Sequence, residues 1–463
     1  MIAVRMYQNI KPIVRILVIA LLLRLSFFLL VHPWSLPIEQ QLTFNDSPLY
    51  HQLASTLLDH HRFASSATAN PDALRTPAYP LFVAGIYALW GKVPWAVFVV
   101  QILLDCLSCY LIFLTLRRLL SQRIAHIAAF FYAIDPFLIL YASTFLTETL
   151  FLFVLAVALY AYGSILFHGQ STNMLWRYGL LGLTIGAATL VRPIALYIPI
   201  ILVAFTLATH RKKLVSALAN SAILVIAFAV IVSPWMIRNY VTFGRASLSC
   251  IDSWTLLPWN VGVVEAPKRH QDLETTQSEL LAEADSLMSA DGLQPENLNP
   301  MQKAEYWRRL AFRYILHDPI RYAIAHVKGT IFIFANLGTS DFAHVLHLPS
   351  HKVDTPTNFF TMLREFFARK SPTEILIGGM IAPFLLITYL ALILGLFVAW
   401  RRFDRTFLAF CLLMALYFIM VPGTIGIVRY KLPALPFFLG FVGIGIAHLL
   451  DRWKAKRAAI TSQ

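Results

Sequence analysis

Charged residues are scarce in this chain. They make up 13% of its 463 residues, whereas hydrophobic residues make up 58%. A typical soluble protein carries about 25% charged residues. The hydrophobic runs are long, and they lack the alternation of apolar and polar residues that a transmembrane barrel needs. The composition therefore excludes an ordinary soluble domain and predicts an all-α protein that crosses a membrane many times.

Several common frameworks are also missing. Four cysteines give no disulfide framework, since three lie in hydrophobic runs and one lies alone in an outer segment. The chain has no Walker motif, no GxGxxG and no Ser-His-Asp arrangement. Its histidines are scattered without the spacing of a metal site. We find no internal repeat and no low-complexity tract.

The charges that are present are predominantly basic. Lys and Arg number 38 against 24 acidic residues, and the formal net charge is +14. Most of the excess lies in short links between hydrophobic runs, for example 117–123, 211–213 and 452–457. This is the positive-inside pattern, which places these links in the cytoplasm and explains the charge by topology rather than by nucleic-acid binding.

A membrane-crossing helix needs about 20 apolar residues. Ten spans are predicted, at 13–31, 94–116, 124–142, 149–167, 178–191, 194–209, 214–234, 375–400, 406–421 and 432–450. Residues 79–90 and 320–335 are also apolar but short for a crossing, so the total lies between ten and thirteen.

The spans divide the chain into three predicted parts. Residues 1–235 form an N-terminal transmembrane catalytic module that includes a first outer loop, 32–93. Residues 236–374 form a large outer-face segment with amphipathic helices. Residues 375–463 form the C-terminal transmembrane helices and a basic cytoplasmic tail. Within the first loop, apolar residues at helical spacing after Pro48 predict a juxtamembrane amphipathic helix.

The most informative residues follow the first span. Asn45–Tyr50 reads Asn-Asp-Ser-Pro-Leu-Tyr, and Arg75–Pro80 reads Arg-Thr-Pro-Ala-Tyr-Pro. Asp46 is either the cap of the helix that starts near Pro48 or a catalytic carboxylate. Arg75 is either a phosphate ligand, because its planar fork donates two parallel hydrogen bonds, or an arginine that anchors the interface.

Further charged residues lie at the outer ends of spans. Glu148 is either a second acid of a reaction centre or a favourable charge in the first turn of a helix. The outer cationic positions are Arg192, Arg238 beside Asn239, and Arg429 followed by Tyr430 and Lys431. They bind either an anionic ligand or lipid headgroups. Arg24 and Asp105 both lie near the middle of their spans, which predicts a structural ion pair.

These motifs, taken in order, resemble those of a known family. They are Asn45–Tyr50, Arg75–Phe82, Leu146–Glu148, Val191–Pro193, Pro234–Gly244 and Arg429–Pro436. The set is similar to that of the GT-C integral-membrane glycosyltransferases, in the branch of bacterial protein O-mannosyltransferases and lipid A aminoarabinose transferases. The resemblance covers most of the chain and weakens over about 250–375.

The resemblance implies a GT-C helical bundle with roughly 10–13 transmembrane helices and outer-face juxtamembrane helices. It also implies a pocket on the outer face that takes a sugar from a polyprenyl-phosphate carrier. Asp46 corresponds to the family's first-loop aspartate, Glu148 to the acid of the second loop and Arg75 to the residue that contacts the carrier phosphate. No cofactor is required, no residue is assigned to a metal, and a divalent metal is left open.

We therefore predict an inverting, polyprenyl-phosphate-dependent glycosyltransferase of a bacterial inner membrane, with its site facing the periplasm or exterior. The predicted catalytic residues are Asp46 and Glu148. The predicted substrate-binding residues are Tyr50, Arg75, Tyr79, Arg192, Arg238, Asn239, Arg429, Tyr430 and Lys431. The partners are the lipid-linked donor, a glycolipid, glycan or protein acceptor and membrane lipids, with no nucleic acid. The alternatives are a flippase for a lipid-linked sugar, or an O-antigen polymerase or ligase.

Overall fold

The structure, a computed structural model, describes residues 2–168, 174–349, 364, 368, 370–403 and 405–461. Part of the predicted outer segment 236–374 therefore lies outside the described residues. No β-strand occurs within these ranges; one isolated bridge joins Ala64 and Pro71. The helices, in chain order, are α1 (Ile2–Val31), α2 (Ile38–Gln41), α3 (Ser47–His60), α4 (Ala78–Trp90), α5 (Pro94–Leu119), α6 (Gln122–Ala133), α7 (Pro136–Ala142), α8 (Glu148–His168), α9 (Leu175–Val191), α10 (Ile198–Thr209), α11 (Leu214–Phe243), α12 (Ile251–Trp254), α13 (Gly262–Arg269), α14 (Leu273–Ala290), α15 (Pro300–His317), α16 (Pro319–Ala335), α17 (Thr339–Val345), α18 (Pro372–Arg402), α19 (Arg405–Met420) and α20 (Leu435–Thr461).

The predicted all-α membrane architecture is confirmed. Among the described residues, six helices are long and apolar enough to cross a membrane. The pair α6 and α7, bent by 55°, forms either a seventh, broken span or a re-entrant loop. Three shorter apolar helices, α9, α10 and α19, coincide with the other three predicted spans. The two short apolar segments of the sequence form α4 and α16.

The helix that contains the predicted span 214–234 is longer than that span. The span expected to end at residue 234 continues as α11 through Pro234 to Phe243. A proline removes one helical hydrogen bond but does not have to end a helix when neighbouring elements support it. The helix ends at Gly244, whose φ of 74° is readily adopted only by glycine.

The predicted ion pair within the membrane is confirmed. The guanidinium of Arg24 on α1 donates to the carboxylate of Asp105 on α5, and neither residue exceeds 1% exposure. Arg24 also donates to the carbonyl of Ala133 at 2.8 Å, while the Tyr132 hydroxyl donates to Asp105 at 2.7 Å. These contacts join α1, α5 and α6, and they satisfy the two charges where no water is available.

Glycines allow the last spans to pack very closely. A Cβ added at Gly395 on α18 would lie 1.8 Å from the carbonyl oxygen of Phe441 on α20. A Cβ added at Gly445 on α20 would lie 2.0 Å from the carbonyl oxygen of Ala391. Membrane helices associate largely through such close packing, because lipid offers no hydrophobic driving force between them.

The outer segment has a small core of its own. Side chains from α13, α14 and α15 bury Leu280, Trp307 and Leu310 together with Leu257. The first outer loop joins this core through Ala73, whose carbonyl accepts a hydrogen bond from the Cys250 amide at 2.9 Å. The boundaries of the three predicted parts stay predictions.

Candidate active site

The carboxylate of Asp46 lies between two guanidinium groups. Arg75 donates to Oδ1 at 2.6 Å and Arg429 donates to Oδ2 at 3.0 Å. Asp46 precedes α3, but neither it nor Ser47 caps that helix through its side chain: Asp46 makes no capping hydrogen bond, and the Ser47 hydroxyl donates to the carbonyl of Phe145 at 2.9 Å. The carboxylate is therefore held by cations from distant parts of the chain rather than by its own helix.

Arg75 is positioned by the loop that precedes α4. Its backbone amide donates to Oδ1 of Asp72 at 2.8 Å, and the same oxygen accepts from the Leu74 amide at 3.1 Å. The guanidinium lies over the ring of Tyr50, 5.1 Å from its centroid. The Arg75 side chain is 13% exposed and points at Asp46, so it is not an arginine that reaches out to the headgroups.

Glu148 is the first residue of α8 and is 2% exposed. Its Oε1 lies 2.7 Å from Arg192 at the end of α9 and 3.8 Å from Nε of Arg429. Arg429 belongs to a 3₁₀ helix, Val428–Ala434, that leads into α20. Arg429 thus contacts both predicted catalytic acids, and the contacts form one continuous network from Arg75 through Asp46, Arg429 and Glu148 to Arg192.

The electrostatics of this network favour a negatively charged ligand. Burial would raise the pKa of the Asp46 carboxyl, but the charges of Arg429 and Arg75 outweigh it and hold that pKa below its ordinary value. The Nε atoms of Arg75 and Arg429 are buried and have no hydrogen-bond acceptor in the protein, and Oε2 of Glu148 has no donor. Buried groups of this kind nearly always have a partner, so donors here are available to a bound anion.

Comparison with known proteins identifies the fold. Residues 74–237 match the model of the dolichyl-phosphate-mannose–protein mannosyltransferase family. The oligosaccharyltransferase AglB from Archaeoglobus fulgidus, solved with an inhibitory peptide and a dolichol-phosphate, is 15% identical and covers 99% of this chain, with a TM-score of 0.54. The chain has the GT-C fold of integral-membrane glycosyltransferases.

The predicted GT-C resemblance is thereby confirmed at the level of the fold. The chain spans about half of AglB, 52% of its length. ArnT from Cupriavidus metallidurans bound to undecaprenyl phosphate is 15% identical over 92% of this chain and 76% of its own, with a TM-score of 0.39. No curated protein sequence matches the chain. The matched range of the family model contains Arg75, Glu148 and Arg192, whereas Asp46 and Arg429 lie outside it.

Three other predicted substrate-binding residues lie beside the network. Tyr50 is buried, with burial the main cause of its raised pKa, and packs edge-on against Tyr79 at 4.9 Å. The Tyr79 hydroxyl donates to the side chain of Gln101 at 3.0 Å, so its polar end is already satisfied. The ring of Tyr430 lies beside the guanidinium of Arg429, 5.6 Å from its Cζ.

Lys431 does not join the network. Its side chain is 2% exposed, and Nζ lies 3.8 Å from the centre of the Phe137 ring without a hydrogen-bond partner. It lines a small, mostly apolar cavity that Asp135 and Tyr389 also line. Residues two apart in a 3₁₀ helix point in clearly different directions, which separates Lys431 from Arg429.

Arg238 and Asn239 are also placed elsewhere. Arg238 lies over the ring of Trp235 at 4.7 Å and donates to the carbonyl of Asp72 at 3.0 Å. Asn239 is fully buried and donates to the carbonyls of Ser247 and Leu248. Arg238 thus connects α11 to the loop that carries Arg75, and Asn239 supports Arg238 by accepting a hydrogen bond from it at 2.8 Å.

Sequence reasoning missed Tyr141 and Asp341. The Tyr141 hydroxyl donates to Oδ2 of Asp341 at 2.5 Å, and Asp341 lies within the electrostatic reach of Arg429. The sequence offered one indication of Asp341: it is an acidic residue just after the turn at Gly338, which follows an apolar outer segment. No group of three His, Cys, Asp or Glu in the described part of the chain is arranged to hold a metal ion, and the question of a divalent metal stays open.

Proposed function

We propose that the protein is an inverting glycosyltransferase that moves a sugar from a polyprenyl-phosphate carrier to an acceptor hydroxyl. The single observation that carries the proposal is the position of Asp46 between Arg75 and Arg429, each with a buried Nε–H group that lacks an acceptor. A base and two phosphate-binding groups in one cluster are what such a transfer requires.

The donor phosphate would compete with Asp46 for the two guanidiniums. A phosphate group has several acceptor oxygens, and negative charge develops on it as it departs. It therefore binds Arg75 and Arg429 more favourably than a single carboxylate can. The pKa of Asp46 then returns towards its ordinary value as its cationic neighbours turn to the phosphate. Donor binding would thus prepare Asp46 for its role as base.

The reaction is a single displacement at C1 of the sugar. The acceptor oxygen forms a bond to C1, the bond from C1 to the phosphate oxygen breaks, and its electron pair leaves with polyprenyl phosphate. Asp46 takes the hydroxyl proton, a contribution typically worth roughly 10²–10⁴-fold. Arg75 and Arg429 stabilise the charge on the departing phosphate. Arg192 holds Glu148 in place beside Arg429.

The direction of the helices supports a site on the outer face of a bacterial inner membrane. Asp46, Glu148, Arg192 and Arg429 all lie at helix ends opposite those that carry the basic links, such as 211–213 between α10 and α11. Since basic links stay in the cytoplasm, the site would face the periplasm or exterior. The matched mannosyltransferase family supports a lipid-phosphate sugar as the donor class.

A transfer assay tests the proposal. Purified full-length protein is given a panel of radiolabelled polyprenyl-phosphate hexoses and pentoses with a glycolipid fraction from bacterial cell envelopes. Release of polyprenyl monophosphate together with labelled glycolipid is expected for at least one donor. Movement of intact donor across vesicles without release would indicate a flippase, and activity only on lipid diphosphates would indicate a polymerase or ligase. Either result overturns the proposal.

A further inference from the structure

The short helix α17 forms a wall of the site next to Asp46. The ring of Phe44, two residues before Asp46, packs against Tyr141 at 6.1 Å and against His344 of α17 at 5.8 Å. The His344 ring is also hydrogen-bonded to the carbonyl of Thr43. Residues of α17 are therefore fixed against the loop that presents the predicted base.

Asp341 on α17 differs from the other acids of the site. One oxygen accepts the Tyr141 hydroxyl at 2.5 Å, and no cation lies within ion-pair distance of the carboxylate in the described part of the chain. By contrast, Asp46 has a guanidinium on each oxygen, and Glu148 has two on one oxygen. Burial raises the pKa of Asp341 against the opposing effects of Tyr141, Arg429, His344 and Lys370. The second oxygen of Asp341 is available to a hydroxyl donor.

Tyr141 connects Asp341 to the rest of the site. Its side chain is 1% exposed, and its carbonyl accepts hydrogen bonds from the hydroxyls of Thr144 and Thr149. Thr149 directly follows Glu148 at the start of α8. The orientation of Asp341 is therefore set by a rigid residue that also supports the turn before Glu148.

Asp341 lies near the predicted base, because its helix packs against Phe44 and Thr43, just before Asp46. Arg75 and Arg429 contact opposite oxygens of Asp46, and Arg429 is the cation of that pair whose charge reaches Asp341. In an inverting displacement the nucleophile enters opposite the leaving group. An acceptor hydroxyl that enters opposite the phosphate and reaches Asp46 would therefore also come close to Asp341.

We propose that Asp341 is an acceptor-binding residue, whose free carboxylate oxygen holds a hydroxyl group of the incoming acceptor while Asp46 removes the proton of the attacking hydroxyl. This inference rests on the proposed glycosyl transfer. A carboxylate accepts a short, strong hydrogen bond from a hydroxyl, and the Tyr141 contact keeps it in one orientation. Asp341 would thus select acceptors by the position of their hydroxyl groups and would leave donor binding to Arg75 and Arg429.

Asp341→Asn tests the inference, because an asparagine keeps the shape and can still accept the Tyr141 hydroxyl. We expect the acceptor KM to rise about ten- to a hundredfold, the factor of a lost hydrogen bond to a charged group. The KM of the labelled polyprenyl-phosphate sugar and the affinity for polyprenyl phosphate alone should stay within twofold. Tyr141→Phe, which only frees the carboxylate to rotate, should raise the acceptor KM by less.

The outcomes separate this inference from the proposed function. Asp59→Asn, on the exposed face of α3, is the matched control and should leave all constants unchanged. If wild-type protein transfers sugar but Asp341→Asn leaves the acceptor KM unchanged, only the inference fails. It also fails if donor and acceptor constants change together, since that indicates a structural role. If wild-type protein releases no polyprenyl phosphate from any donor, the proposed function fails and the inference with it.

Discussion

Asp46→Asn should have opposite effects on catalysis and on the binding of the lipid phosphate. The substitution removes the predicted base, so the rate should fall roughly 10²–10⁴-fold, which corresponds to about 3–5 kcal/mol of activation free energy. It also removes the carboxylate that occupies Arg75 at 2.6 Å and Arg429 at 3.0 Å. Both guanidiniums then become available to phosphate, so the affinity for polyprenyl phosphate should stay equal or increase.

Two measurements on purified protein check this pair of effects. Sugar transfer is followed with the labelled donor that wild type uses, and polyprenyl phosphate binding is followed as the rise in thermal unfolding temperature with ligand concentration. Asp59→Asn is the control, because its exposed pairing with Lys92 contributes little. An Asp46→Asn protein that keeps more than a tenth of the wild-type rate would refute the role as base. Weaker phosphate binding would refute the competition for the guanidiniums.

Three further outcomes follow from the geometry. Glu148→Gln should lower the free energy of unfolding by about 1.5–3 kcal/mol, because it removes the charged partner of Arg192, whose side chain is 16% exposed. Thermal unfolding in detergent measures this loss, and a loss below 1 kcal/mol would contradict the ion pair. The pKa of Asp46 is lower in the folded protein than in the unfolded chain. Its contribution to stability should therefore be complete above its ordinary pKa of about 4 and disappear as the pH falls through the lower folded value. The free energies of unfolding of wild type and Asp46→Asn, measured across pH 2–7, should converge only at the acidic end. Gly395→Ala should lower the free energy of unfolding by about 1–3 kcal/mol or more, because the added Cβ would meet the backbone of α20. Gly379→Ala on the same helix is the control, since its Cβ would meet nothing within 4 Å.

Much of the fold follows from hydropathy alone. The long runs of Leu, Ile, Val and Phe that give α5, α8, α18 and α20 can only be satisfied as helices in lipid, and the basic links orient them. The end of α11 could not be predicted in the same way, because Pro234 looks like a helix end when its neighbours are unknown. Whether that proline ends or only bends the helix depends on packing that local sequence does not record.

Several residues of the candidate site could be proposed from the sequence because they are charged and lie at the outer ends of apolar helices. Asp46, Arg75, Glu148 and Arg192 all lie at helix ends or tight turns, and the structure brings them into one network. Charge and position in the sequence do not give the same result for Lys431. It is two residues from Arg429 and has the same charge, but the turn of the 3₁₀ helix sends it into a different environment.

Asp341 could not be identified from the sequence because its significance depends on distant partners. It is separated from Tyr141 by 200 residues and carries no motif of its own. Arg429 was predicted as a substrate-binding residue, but its contact with both Asp46 and Glu148 could not be predicted, since it depends on partners far away in the sequence. Within the described residues, three carboxylates and three guanidiniums come together from six separate segments, and Asp341 is the carboxylate of this group that has no guanidinium partner and that a neutral hydroxyl could approach. Our proposals rest on this distribution of partners among the acids: Asp46 would give up its arginines to phosphate, Glu148 would orient the arginines, and Asp341 would bind the acceptor.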